Sequence, residues 1–176
     1  MRQPDRPAAD MAPPTFDEFF ARERDPVLGL AFALTGDRAV AEDVVQDAFL
    51  DAYRRWDRIG VYERPDAWVR RVVANRSVSA FRRRRSEIRM LVQLSTREPQ
   101  VVPEISSSTL AFWQAVRSLP KRQAQTAALF YLEDRPITEV ARILDMAEGT
   151  VKKHLHDARK TLVEKLDVTE VHDEPG

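Results

Sequence analysis

No cysteine occurs among the 176 residues, so a disulfide framework and a thiolate zinc site are both excluded, and the chain suits a reducing cytosol. Histidine is nearly as scarce, with only His154, His156 and His172. The first two stand two apart in a helical stretch and point to different sides, which is not the usual metal pair. The five glycines form no phosphate-cradling loop of the P-loop kind, and the serines and aspartates show no nucleophile motif. An enzyme is not expected, and no cofactor is implied. No apolar run approaches the roughly 20 residues of a spanning helix, and the N-terminal "MRQPDRPAADMAPPT" lacks the apolar core of a signal peptide. A soluble, cytoplasmic protein without membrane insertion is the expectation.

What is present is charge, and it is segregated. The 28 basic and 28 acidic residues cancel. From Arg64 to Arg97, however, ten arginines face two acids (Asp66, Glu87), whereas Asp37 to Asp51 carries five acids against Arg38 alone. Screening acts over about 8 Å at physiological salt, so a partner feels the local patch rather than the sum. Two partners of opposite charge are implied. The run Arg82–Arg85 calls for something anionic.

The periodicity is helical throughout, and no segment sustains a period of two. Residues 1–14, with four prolines and little apolar content, read as a disordered leader. A helix follows from Phe16 and closes on Gly36, with Pro26 expected to end or begin a helix within it. Asp37 is the expected N-cap of the next, whose Ala41, Val45, Ala48, Ala52 and Trp56 form a core face. After a break at Gly60 and Pro65, the period resumes through Trp68, Val72, Val78 and Phe81, with Trp56 and Trp68 read as core aromatics. Periodicity fades from Glu87 to Thr109, where "STREPQVVPEISSST" reads as a flexible linker. Two small all-α domains, at 15–86 and 109–166, are therefore expected, with an acidic tail at 167–176.

The second half carries the most informative pattern. Ile137, Val140, Ala141 and Leu144 form one apolar face. A short break at "DMAEG" follows, and Val151, Leu155, Ala158 and Leu162 form a second face. Two helices joined so closely describe a helix-turn-helix, and the second carries Lys152, Lys153, His154, His156, Arg159 and Lys160 off its core face. Such a helix suits a major groove.

"LAFALTGDRAVAEDVVQDAFLDAYRRWDRI" resembles the core-polymerase-binding helices of bacterial RNA polymerase sigma factors. "RPDAWVRRVVANRSVSAFRRRR" resembles their promoter-melting and promoter-reading segment, and "LPKRQAQTAALFYLEDRPITEVARILDMAEGTVKKHLHDARKTL" is similar to their C-terminal helix-turn-helix. The absence of anything resembling a further sigma domain between them is like the extracytoplasmic-function (ECF) subfamily. The resemblance implies sigma region 2 at 15–86 and region 4 at 109–166, and a sigma factor directing promoter-specific initiation. The implied partners are core RNA polymerase, met at the clamp helices of its largest subunit, promoter DNA, and an anti-sigma factor.

By the same resemblance Asp43, Gln46, Asp47 and Phe49 meet the polymerase. Tyr62, Arg71, Asn75, Arg76, Ser79, Arg82, Arg83, Arg84 and Arg85 meet the −10 element, with Asn75 near an extruded base and Arg82–Arg85 at the end of the reading helix. Gly149, Thr150, Lys152, Lys153, His156, Asp157 and Lys160 meet the −35 element. Lys153, His154 and Asp157 depart from the family's usual serine and arginines, and Asp145 replaces a usual turn glycine; aspartate tolerates the left-handed conformation better than most residues. For Asp157 an intrahelical ion pair with Lys153 or Lys160 stands beside a base-reading role. A stand-alone helix-turn-helix regulator with an N-terminal sensing or dimerisation domain is the alternative. It would bind an operator tightly unaided.

Overall fold

Chain order explains much of the architecture, which a computed structural model describes for residues 14–92 and 107–170. The helix α1 (Phe16–Thr35) starts at a capping box, in which the Thr15 hydroxyl accepts from the Glu18 N–H while Glu18 accepts from the Thr15 N–H. It ends at Gly36, whose φ of 70° is left-handed and whose N–H donates to the Phe32 carbonyl. Pro26 does not interrupt this helix, contrary to expectation. It lies on the exposed side near Arg22, so the carbonyl that loses its intrahelical donor faces water and is not stranded.

Asp37 caps α2 (Arg38–Arg54) by accepting from the Val40 N–H at 3.0 Å, as its position suggested. A one-turn helix α3 (Trp56–Ile59) leads through Gly60 to α4 (Pro65–Val92). The last of these runs on over residues 87–92, where a linker was expected, so Arg82–Arg85 lie within the helix and not at its end. The helix-forming character of "SEIRMLV" accounts for the extension.

The helices α1, α2 and α4 pack on one another around Phe19, Val27, Leu30, Val45, Ala48, Val69 and Val73, all buried. Trp56 and Trp68 pack against this core, and Trp56 lies 4.8 Å from Phe19 between ring centres.

The second half comprises α5 (Ser107–Ser118), α6 (Lys121–Tyr131), α7 (Ile137–Leu144) and α8 (Glu148–Glu170). Pro120 and Pro136 precede α6 and α7, where a missing N–H costs nothing. The leader 1–13, the linker residues 93–106 and the tail residues 171–176 fall outside the described residues. The helix α8 continues to Glu170, past the expected boundary at 166.

The two halves share one apolar core, because α5 and α6 pack on α1, and α6 and α7 pack on α4. Gly36 sits at this seam: a Cβ there would stand 2.8 Å from the Arg117 Nε. Gly36→Ala is therefore expected to lose about 1–2 kcal/mol from its left-handed backbone alone. A melting temperature lower by roughly 2–8 °C in circular dichroism would register it.

Candidate nucleic-acid and protein interfaces

The acidic face of α2 is available. Asp43, Gln46 and Asp47 are exposed and share one side of the helix. Phe49, expected beside them, is only 3% exposed and makes edge-to-face contacts with Phe20 at 4.9 Å and Phe19 at 6.0 Å. Its ring fixes α2 on α1 and is not itself a contact surface; the neighbouring Leu50 is the exposed apolar residue. Asp51, on the same helix, pairs with Arg76 of α4.

On α4 the expected reading residues are largely engaged. Arg71 donates to Asp145 at 2.9 Å, and Asn75 Oδ1 accepts from Gln125 Nε2 at 2.9 Å. Arg76 is held by Asp51, and the Ser79 hydroxyl donates to the Asn75 carbonyl at 2.9 Å. Tyr62 is exposed in the loop before α4. Arg82, Arg83, Arg84 and Arg85 are all exposed, but four consecutive helical residues fan over about 300° and cannot face one surface together. Arg84 turns back to Asp37 at 2.7 Å, and Arg85 lines a cleft with Gly36 and Arg117. Arg82, Arg83 and Arg85 carry no ion pair among the described residues, and Arg84 alone of the run is paired.

The helix-turn-helix forms as the apolar pattern requires. Asp145 adopts φ 55°, ψ 58° at the end of α7, so the turn keeps its left-handed residue without glycine. Val151, Leu155, Ala158 and Leu162 are buried, while Gly149, Thr150, Lys152, Lys153, His156 and Lys160 are exposed along the first turns of α8. Arg159 is not among the free cations, because its Nε donates to the Tyr131 hydroxyl at 2.7 Å and its guanidinium lies 5.8 Å from the Phe130 ring centre. The Asp157 carboxylate makes no ion pair among the described residues, so of the two alternatives the intrahelical pairing with Lys153 or Lys160 is not formed.

A buried charge cluster between α1, α4 and the second half was not expected from the sequence. Arg70 is 2% exposed and donates to Glu23 and to Glu133, each at 2.7 Å. Burial disfavours its charge, but Glu133 and Glu23 outweigh that and hold the guanidinium more firmly protonated than usual. Around it Arg64 donates to Asp66 at 3.0 Å and to Glu139 at 3.4 Å. Hydrogen bonds from Arg135 and Arg64 hold the Glu139 carboxyl below its ordinary range. Burial opposes ionisation of Asp66, yet Arg64, Arg70 and Arg135 prevail and its carboxyl also lies low.

Comparison with known proteins gives two consecutive family matches, to "Sigma-70 region 2" over residues 19–87 and to "Sigma-70, region 4" over residues 109–162. The chain is 30% identical over 152 residues to the RNA polymerase sigma-E factor of Streptomyces avermitilis, spanning 86% of this chain and 85% of that protein. It is 33% identical over 147 residues to the ECF RNA polymerase sigma factor SigL of Mycobacterium tuberculosis, spanning 79% and 83%. Among solved structures, the sigma factor RpoE in complex with the anti-sigma factor NepR from Bartonella quintana shares the fold. Its TM-score is 0.67 at 23% identity, over 87% of this chain and 97% of that one.

Proposed function

The chain belongs to the extracytoplasmic-function RNA polymerase sigma factors, and from that membership we infer that it binds core RNA polymerase and directs promoter-specific initiation of transcription. The observation that carries this is the pairing of the two sigma matches in one chain, region 2 at 19–87 followed by region 4 at 109–162. Catalysis belongs to the polymerase, and the chain acts in the cytoplasm beside it. An antagonist of the anti-sigma kind seen with RpoE is part of the same reading.

Roles follow from what is exposed. Asp43, Gln46 and Asp47, with Leu50 at their margin, form a carboxylate-rich ledge that meets the basic clamp helices of the largest polymerase subunit. Asn75 offers an acceptor and a donor to an extruded base of the −10 element, with Tyr62 available for stacking. Arg71, Arg82 and Arg83 take phosphates, and Ser79 and Arg76 shape the same face. Lys152, Lys153, His156 and Lys160 present cations to the −35 element from α8, with Gly149 and Thr150 allowing close approach at its start.

Transcription reconstituted with core polymerase tests the reading, with promoter-dependent run-off product as the expected result. Tight binding of one duplex operator by the free chain, with no transcript on adding core, would overturn it in favour of a stand-alone regulator.

Asp157 gives a finer prediction. With no ion partner among the described residues, its carboxylate is available to accept from a cytosine amino group or to repel a wrongly placed backbone. Asp157→Ala is expected to broaden −35 usage, with discrimination at one base pair falling by roughly 1–3 kcal/mol, while Lys152→Ala weakens all sites evenly. A library randomised in that element reads both.

A further inference from the structure

A cleft of about 410 Å³ lies where the end of α1 meets α4 and α5, and its walls include Gly36, Phe81, Arg85, Gln114 and Arg117. Arg117 is the group in it that calls for a partner. Its guanidinium is recessed, and burial holds its pKa below the ordinary value with no carboxylate acting against that. Of the five N–H groups an arginine offers, Nη1 donates to the Ala33 carbonyl at 3.0 Å. The Nε–Nη2 edge stands beside Gly36, and only the missing Cβ there leaves it room. A cation taken partly out of water is costly unless an anion meets it.

The acids around the cleft do not meet it. The helix α5 contains no Asp or Glu, and Asp37, next to Gly36 in sequence, already accepts from Arg84 at 2.7 Å and from the Val40 N–H at 3.0 Å. Arg85 brings a second cation from α4, exposed and without an ion pair among the described residues. We propose that the cleft is a binding site for a small phosphate-bearing ligand of the nucleoside diphosphate class, its phosphates held between Arg85 and Arg117 and its base set against Phe81 and Gln114. Guanidinium forks take phosphate oxygens two at a time, which a lone ammonium cannot do. Phe81 is half-buried and offers a ring for stacking, while the exposed Gln114 amide has both a donor and an acceptor for a base edge. The volume falls within the roughly 300–1,000 Å³ usual for small-molecule sites.

The test uses the full chain without polymerase or DNA, so its failure is separable from failure of run-off transcription. Calorimetric titration at physiological salt compares ADP, GDP and inorganic pyrophosphate. One-to-one binding is expected, with a nucleoside diphosphate held about tenfold more tightly than pyrophosphate because its base stacks. Arg117→Gln and Arg85→Gln should each weaken it by about tenfold or more; Arg85 is exposed and unpaired, so that variant does not put the fold at stake. The control is Arg54→Gln, an exposed arginine at the other end of α2, roughly 24 Å along the helix from the cleft. No binding of any of the three anions would overturn the site, and an equal loss in Arg54→Gln would reduce it to unspecific charge attraction. Pyrophosphate bound as tightly as the nucleotides would overturn the nucleotide assignment.

A thermal measurement reads the same site through the fold. The cleft takes its walls from the end of α1, from α4 and from α5, so a bound ligand ties three helices together. At 100 times its dissociation constant, the nucleoside diphosphate should raise the melting temperature of the parent chain by roughly 5–10 °C. At the same concentration the tenfold weaker Arg85→Gln should gain only about half as much. An equal rise in parent and variant, or none in the parent, would count against the cleft.

Discussion

Core polymerase mixed with the Asp43→Lys/Asp47→Lys variant is expected to yield no promoter-directed transcript, although the variant folds as well as the parent. Both side chains are exposed and neither has an ion partner among the described residues, so the substitution removes no internal contact. Surface changes of this kind usually alter stability by under about 0.5 kcal/mol. At an interface the effect is far larger. Close charge pairs across complexes couple by about 1.5–7 kcal/mol, and like charges set face to face repel. Two such reversals should weaken core binding at least a hundredfold, as roughly 1.4 kcal/mol is a factor of ten. A pull-down with core polymerase measures it, and undiminished capture of the folded variant would remove α2 from the interface.

The second large effect concerns the arginine run, and the fan of α4 makes it uneven. Arg82→Ala and Arg83→Ala should each lower open-complex formation on every promoter alike. Each should also flatten the dependence of log affinity on log salt by about 0.7–0.9. Arg84→Ala should do much less to the slope, because its guanidinium is already spent on Asp37. Equal slopes for all four single variants would mean that the helix turns or unwinds on the promoter. An effect confined to one promoter would mean that these residues read bases.

The helices, the Asp37 cap, the Gly36 stop and the helix-turn-helix were legible because each follows from local chemistry: apolar spacing, capping side chains and left-handed tolerance. Pro26 misled because whether a proline breaks a helix depends on where its orphaned carbonyl points, and the local sequence does not say which side is wet. Phe49 misled for a related reason. Asp47 is exposed, but two further residues turn the helix by about 200° and carry Phe49 into the core.

The Arg70 cluster did leave a signal. Glu23 falls in the apolar row Phe19, Val27, Leu30 of α1, and Arg70 stands between Val69 and Val73 on α4. An acid and a base that each interrupt a core stripe are complementary, since a buried charge needs a partner. What no local pattern revealed was the third member, Glu133, because its approach depends on how two halves meet across residues with no regular period.

One last consequence belongs to α1. It contributes to the wall of both halves, touching α2 and α4 on one side and α5 and α6 on the other, within a single continuous apolar cluster. As long as the halves are closed, loosening either one exposes the same helix, so heat finds no independent unit to melt first and the transition is cooperative across the domain boundary. Separating the halves divides that unit, and the calorimetric enthalpy of the chain then becomes the sum of two smaller transitions. Folding stability in this protein is thus a property of its conformation as well as of its sequence.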